Sequence, residues 1–564
     1  MPDSDFVKNT INRIGILHFH DTKGQMDDYV LYNLSELKKN CSKLIVTVNG
    51  VINKESRAKV ESLDIELIVR ENKGFDFGAW KDAIKQKWNI IKEADELVLT
   101  NDSYFGPIVP WSVVFSEMDS SQCDFWGLTS RDHYKGFDGD VPEHLQSFFL
   151  TIRSRLLKSE EFKKYWDDLE YAHSFKECVD KCEGRFTDHF SKLGYSWDHY
   201  CKNPKGSELK IGLFEYNTDD MVIFHKLPII KRKALISNIS ERLHSTEGEG
   251  IQRLFNYIDN QTCYDKKMIL DNIIRTCDLS IISEIMPIFK VFSNNGVETD
   301  NKTAIILCID TKEDYQYYLE KINAVPIGID VFMIVHDLQY NCIPEGIGRK
   351  YEVIISSNDS VNYIPDDILA IMKDYEYVCY LRDSKTISEK YYGVYNYSSQ
   401  KSLRNCIWQN LVGNSGFINE IINYLSNNNY VGLLYPPCPS HDCYREIDKE
   451  KWKLIMCKSD KSITRLKIDE KMVCDCPDAF KMCFWCRTDS LAGITEKDPI
   501  QLMPLISQKN GYYSVISLSE DYAVLRIKNN SEMTNTVTRM KEESVIKYFL
   551  RHNFIFRVLK RILG

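Results

Sequence analysis

Two hydrophobic patterns alternate along the chain from Ile14 onward. IGILHFH (14–20) is a continuous apolar run, the signature of a strand buried on both faces, and DDYVLYNLSELKKN (27–40) then spaces Tyr29, Leu31, Leu34 and Leu37 as one face of a helix. KLIVTVNG (43–50) and IELIVREN (65–72) predict a second and a third strand, the latter running into the turn Asn72-Lys73-Gly74. FGAWKDAIKQKW (77–88) predicts a helix with Ala79, Trp80, Ile84 and Trp88 near one face, and ELVLTND (96–102) a fourth strand. Strands alternating with helices imply a mostly parallel sheet with helices on both faces, which takes its ligands at the carboxyl ends of the strands.

The same order returns near Thr303. AIILCID, the helical DYQYYLEKI, DVFMIVHD, YEVIISSND, a helix around DDILAIMKDY and the strand YVCYLRD repeat the succession seen between 14 and 102. The chain is therefore expected to hold two tandem α/β units: 10–235, and 300–535. Residues 236–299, with the periodic IQRLFNYI and MILDNIIRT, read as a helical connector. A length of 564 residues suits two cores better than one.

Charge and cysteine usage narrow the function classes. A net charge of −9 argues against a surface devoted to nucleic acid, which needs clustered Lys and Arg. The sequence contains no run of about 18 apolar residues, and MPDSDFVKNTINR lacks the basic and apolar regions of a signal peptide, so a cytoplasmic protein is expected. Most of the 18 cysteines fall in apolar runs and read as reduced, buried thiols. Cys474, Cys476, Cys483 and Cys486, with Cys438, His441 and Cys443 upstream, raise a zinc site as the alternative to thiols in a loop and a strand, which is the expected reading. ESVIKYFLRHNFIFRVLKRILG places Lys547, Arg551, Arg557 and Arg561 opposite Tyr548, Phe549, Ile555, Phe556 and Leu559 on a helix. Segment 541–564 is thus expected to lie as an amphipathic helix on the inner face of the membrane, or else to pack on its own domain or a partner.

Three segments carry candidate chemistry. Asn101-Asp102-Ser103 ends the fourth strand, where the Asp102 carboxylate suits a diphosphate with its Mg2+ or Mn2+ ion; the same three residue types also suit the start of a turn. Asn72-Lys73-Gly74-Phe75-Asp76-Phe77-Gly78 opens a helix, with two glycines that allow close backbone approach to a base or phosphate, and with Asp76 either on a base or ribose or capping the helix. In CEGRFTDHFSKLGY a helix would place Glu183 and Thr187 on one face, so Glu183, or else Asp188, could act as the base for an acceptor hydroxyl. The absence of G-x-G-x-x-G after the first strand weighs against a dinucleotide dehydrogenase.

ENKGFDFGAWKDAI, LVLTNDSYFGP, DFWGLTS, EHLQSFFL, FKKYW and EGRFTDHFSKLGY together resemble the rhamnan synthesis protein F family of bacterial polysaccharide rhamnosyltransferases, and HKLPIIKRKAL, NYIDNQTCYD, NYVGLLYPP, FKMCFWCRTDSL and QKNGYYSV extend the resemblance over nearly the whole chain. The order of these motifs is also similar to the GT-A fold of family-2 glycosyltransferases. The resemblance implies two tandem GT-A-like units and an inverting transfer of L-rhamnose from dTDP-L-rhamnose to a growing, lipid-linked polysaccharide. It further implies that Asn72, Gly74, Asp76 and Gly78 line the nucleotide pocket with Asn101, and that Asp102 meets metal and diphosphate. Trp126, Gly127, Thr129, His144 and Gln146 would form the floor and acceptor side, with Glu183 as the base; core packing is the alternative for Trp126. In the second unit the pattern decays. Asn358-Asp359-Ser360-Val361-Asn362 stands where the family has N-R-G-R-D, Leu381-Arg382-Asp383-Ser384 where it has H-T-K, and Ile500 at the acidic position eleven residues before the glycine of NGYY. That unit is expected to be non-catalytic or differently specialised. A non-catalytic carbohydrate-binding or scaffold protein is the alternative for the whole chain.

Overall fold

The computed structural model describes residues 11–136, 139–202, 217–236, 246–298, 300–309, 317–319, 321–335, 351–355, 363–382, 395–438, 455–469, 472 and 483–542. The chain divides into two compact units, Met1–Ile273 and Ile274–Gly564.

In the first unit the apolar runs form β1 (Arg13–Phe19), β2 (Lys43–Asn49), β3 (Glu66–Arg70) and β4 (Glu96–Asn101), which pair in parallel in the order β3-β2-β1-β4. Every residue of β1 and β4 is buried, the outcome expected where both faces of a sheet are covered. A short β5 (Tyr104–Phe105) follows, then β6 (Phe125–Gly127) and the small strands β7 (Ser130–Arg131), β8 (Tyr134–Gly136), β9 (Gly139–Val141) and β10 (His144–Leu145). The chain returns through β11 (Phe149–Arg153), which lies antiparallel between β4 and β6, and ends the sheet with β12 (Trp197–His199) parallel to β6. Outside the sheet, β7 pairs with β10, β8 with β9, and β5 with β13 (Ile230–Lys231).

The helix Phe75–Ile91 turns Ala79, Trp80 and Ile84 into the core with Trp88 packed at its margin, as its spacing predicts. It joins Ile16, Ile45, Leu97 and Leu99 from the sheet and Phe162, Trp166, Phe186 and Phe190 from later helices. The helix Asp28–Lys38 likewise buries Tyr29, Leu34 and Leu37, leaving Leu31 half-buried.

The second unit is built on β14 (Phe289–Phe292), β15 (Thr303–Ile309), β16 (Asp330–Val335), β17 (Tyr351–Ile355), β18 (Tyr377–Arg382), β19 (Val431–Tyr435), β20 (Phe484–Arg487) and β21 (Tyr513–Ser519), in the order β14-β21-β19-β20-β18-β15-β16-β17. All pairings are parallel except those of β20. The expected class, two α/β units of mostly parallel sheet, is observed. Segment 236–299 is not helical throughout: helices span Gly250–Gln261, Lys267–Thr276 and Leu279–Ile285, but Phe289–Phe292 adds an edge strand to the second sheet. Cys308, Cys379, Cys483 and Cys486 are buried in or beside strands, while His441, Cys443, Cys474 and Cys476 lie outside the described residues, as do 543–564. Among the described residues no helix is long and apolar enough to cross a membrane.

Candidate active site

The carboxyl end of β4 is where the predicted residues begin to meet. The Asn101 side-chain Oδ1 accepts from the Ser103 backbone N–H at 3.2 Å and from its hydroxyl at 2.6 Å, so the turn reading of Asn-Asp-Ser holds; its Nδ2 still donates to Asp76 Oδ2 at 3.0 Å. The other Asp76 oxygen accepts from the Phe77 N–H at 2.9 Å and faces the Cys178 thiol at 3.5 Å. Burial raises the pKa of Asp76, and the nearby negative charge of Glu183 adds to the rise against the opposing Asn101 hydrogen bond. The nucleotide-side loop and the helix-borne base candidate thus share one electrostatic environment.

Glu183 closes a π-helical turn, Cys178–Glu183, that leads into the helix Gly184–Lys192. Such wide turns shift the register of a helix and recur at functional sites. Glu183 and Thr187 do lie on one face. Glu183 Oε2 accepts from the Ser147 N–H at 2.9 Å and from the Ser147 hydroxyl, and Thr187 Oγ1 accepts from the Leu145 N–H at 2.9 Å. The strip 144–147 therefore carries the site along the helix. On it His144 is fully buried: Nδ1–H donates to the Pro142 carbonyl at 2.7 Å, leaving Nε2 without a hydrogen-bond partner among the described residues and 3.9 Å from Glu183 Oε1. Thr129 donates its hydroxyl to Gln146 Oε1 at 2.7 Å, tying the residue before β7 to the same strip.

Asp102 is partly buried beside this cluster, its carbonyl accepting from the Tyr29 hydroxyl at 2.9 Å. Burial pushes its pKa up to about 6, against the pull of Arg232 and the His20 N–H. Among the described residues no group of three or more His, Cys, Asp or Glu is placed to hold a metal ion. Asp102 offers one hard carboxylate oxygen donor at a strand end, which fits a Mg2+ or Mn2+ ion whose remaining ligands come from phosphate and water.

Sequence reasoning missed His20 and Arg232, whose charges act on Asp102, and the neighbouring His18 and Arg70. His18 is the penultimate residue of β1 and His20 follows the strand, with His20 Nδ1–H donating to the Asn49 carbonyl at 2.8 Å, and Arg70 ends β3 with its guanidinium on Asn49 Oδ1 at 2.5 Å. His18 is buried, and desolvation, then the positive charge of His20 and Arg70, lowers its pKa to about 3. The polar tail of IGILHFH, two histidines closing an otherwise apolar run, was the available signal. Arg232 arrives from 130 positions along the chain because β13 pairs with β5, and its N–H donates to the Ser103 carbonyl at 3.0 Å. No local pattern announces that.

Four expectations need correction. Gly74 (φ +73°) and Gly78 do not leave room for a ligand: a Cβ on Gly74 would lie 2.6 Å from Tyr171 Cδ1, and one on Gly78 2.9 Å from the Lys73 carbonyl and 3.0 Å from Tyr171. Their smallness seats Tyr171, whose hydroxyl donates to Asp82 at 2.5 Å. Asn72 is exposed and holds none of the contacts above. Trp126 is fully buried between Phe115 and Phe149, with centroids 5.8 Å from each, so it supports the sheet instead of flooring a pocket; the neighbouring Gly127 faces the Phe149 carbonyl and Leu145. Asp188 forms an (i,i+4) ion pair with Lys192 at 2.7 Å, five residues and about 140° of helix away from Glu183. A groove of about 540 Å³, lined by Tyr165, Tyr171, Cys182 and His189, includes none of the candidate residues.

Comparison with known proteins adds to this geometry. The family model described as rhamnan synthesis protein F matches residues 44–501, most of the chain. The chain belongs to the rhamnan synthesis protein F family. Membership places it among proteins of polysaccharide synthesis. A curated relative, the uncharacterised protein y4gN of Sinorhizobium fredii, is 23% identical over 184 residues, which are 32% of this chain and 46% of that protein; the match spans about half the relative's length. Solved structures overlap loosely. The glycosyltransferase GlyE of Streptococcus pneumoniae has a TM-score of 0.22 at 11% identity, over 65% of this chain and 84% of that one. A cytidylyltransferase of Leptospira borgpetersenii has 0.23 at 14% identity, over 45% and 100%.

Proposed function

We propose that the first unit of this family member is an inverting glycosyltransferase that moves L-rhamnose from dTDP-L-rhamnose onto a growing, lipid-linked surface polysaccharide. Family membership supports the polysaccharide. The observation that carries the reaction class is the Glu183 carboxylate, held by Ser147, faced by the buried His144 imidazole at 3.9 Å and electrostatically linked to Asp76, which accepts from Asn101 at the end of β4. In this reading Asp76, Asn101 and Asp102 serve the donor, and Thr129, His144 and Gln146 the acceptor side. Glu183 accepts the proton of the acceptor hydroxyl, that oxygen bonds the anomeric carbon, and the bond to the diphosphate breaks with its electron pair. A Mg2+ or Mn2+ ion carried in with the donor would take Asp102 as its carboxylate ligand and supply positive charge to the leaving group. The segment 541–564 would dock the enzyme on anionic lipid, confining it with its acceptor.

Release of dTDP from dTDP-L-rhamnose by the purified full chain with Mg2+ or Mn2+ is the test. Turnover supports the enzyme. Tight binding of the nucleotide sugar with neither hydrolysis nor transfer would favour the second reading, a non-catalytic carbohydrate-binding scaffold, for which Ile500 in the second unit speaks.

A further inference from the structure

The ladder between β7 and β10 sets Arg131 directly opposite His144, so the two side chains project from the same face. The Arg131 guanidinium stacks 3.9 Å from the centroid of the Tyr134 ring, and that ring lies 6.1 Å from the His144 ring. Tyr134 is itself anchored, its hydroxyl donating to Asp180 Oδ1 at 3.0 Å from the π-helical turn that ends in Glu183. Burial, together with the Asp180 carboxylate, pushes the Tyr134 pKa up to about 12, so the hydroxyl stays protonated and the anchor holds across the physiological range.

Among the described residues Arg131 forms no ion pair. The carboxylates of the adjoining elements have other partners: Asp180 accepts from Tyr134, Glu183 accepts from Ser147, and Asp140 lies 3.8 Å from His133. Among the described residues no carboxylate is within ion-pair distance of Arg131, and its recorded contact is the Tyr134 ring. A guanidinium stacked on an aromatic face loses little hydration and keeps its fork of donors free in the ring plane. It is only partly exposed, which makes each donor worth more to an anion than it would be in open water.

We propose that Arg131 is a specificity residue of the acceptor side, contacting an anionic group, phosphate or carboxylate, that the acceptor carries close to its reacting hydroxyl. The assignment rests on the reading of Glu183 as the base. In an inverting displacement the base and the departing diphosphate lie on opposite sides of the anomeric carbon, so a cation set across the strand from His144, which faces Glu183, belongs to the acceptor. The acceptor class is therefore a charged glycan or glycosyl phosphate, not a neutral one.

The experiment uses the full chain, dTDP-L-rhamnose and three acceptor probes: octyl glucoside, octyl glucuronide and octyl glucoside 6-phosphate. Wild type is expected to prefer one of the charged probes in kcat/KM, and which one it prefers separates carboxylate from phosphate. Arg131→Met should lower that preference about tenfold, the loss expected for one charge-assisted contact, and Arg131→Lys, which keeps charge but not the stacked fork, should retain part of it. Equal losses on neutral and charged probes, a change confined to donor KM, or a wild type without preference would each overturn the proposal. Glu183→Gln separates the two levels: full transfer in that variant would instead overturn the assignment of the base.

Discussion

Set side by side, the two units share a scaffold and differ at the site. Strands β1, β2, β3, β4, β6, β11 and β12 correspond in chain order, sheet position and direction to β15, β16, β17, β18, β19, β20 and β21. The scaffold is repeated down to single residues. Arg153 stands opposite Glu96 and Arg487 opposite the matching Tyr377, and each donates to a carbonyl in the last turn of a preceding helix, Met118 at 2.6 Å and Leu425. Gly194 and Gly511, at φ +86° and +91°, make the same helix-ending turn, with the following tyrosine N–H donating to Phe190 and Ser507 at 3.1 and 3.0 Å. Against that background the polar residues change. His18 and Asn101, paired across β1 and β4, are matched by Cys308 and Arg382 across β15 and β18. Eleven positions before the shared glycine, Glu183 is replaced by Ile500, buried beside Leu491 and Met503. Among the described residues these scaffold contacts are duplicated, whereas the Glu183 carboxylate of the first unit has an apolar counterpart in the second.

Substitutions at matched positions probe this asymmetry. Asp102→Asn should lower transfer at least about 100-fold and weaken metal-dependent donor binding, since it removes the carboxylate proposed to meet the metal ion. Asp383→Asn, at the matching position and outside the described residues, should stay within about twofold; comparable losses would abolish the distinction between the units.

His18 gives the next largest effect. Its folded pKa of about 3 lies below the ordinary value of 6.5, so the unfolded chain binds the extra proton as pH falls. Stability is full above pH 6.5 and declines as pH drops towards 3, by about 3 kcal/mol between pH 6.5 and 4. His18→Cys, which installs the residue of the second unit, should flatten that decline in denaturant titrations followed by tryptophan fluorescence. An unchanged pH slope would show that the imidazole is not held neutral.

Gly78→Ala should destabilise the first unit by about 1–3 kcal/mol, through contact with the Lys73 carbonyl and Tyr171, with donor affinity little changed in the fraction that folds. A selective loss of donor affinity at unchanged stability would restore the phosphate-approach reading. Asp188→Asn should be the smallest change, under about 0.5 kcal/mol, because a surface (i,i+4) pair contributes little, and transfer should persist.

Much of this was legible from periodicity. The strand succession and the duplication followed from apolar runs because burial on both sheet faces leaves an unambiguous composition, and the Glu183–Thr187 face followed from helical spacing. The glycines of the 72–78 loop misled, since a small residue signals close approach without saying of what, and here the neighbour is Tyr171 from far along the chain. Asp188 stood second to Glu183 in the sequence, and in the structure it is Glu183, closing the π-helical turn, that meets Ser147. His144 came only from family resemblance, and Arg131, Tyr134 and Asp180 from no pattern at all, because short antiparallel ribbons and the π-helical turn bring them together.

The central claim, that chemistry resides in the first unit and runs through Glu183, is tested most directly by steady-state rhamnosyl transfer with Glu183→Gln in the full chain, alongside donor affinity by calorimetry. The account predicts a fall in kcat of about 100- to 10,000-fold, the range for a lost general base, with donor affinity within a few-fold of wild type. Transfer at the wild-type rate, or collapsed donor affinity with kcat preserved at saturation, would contradict it.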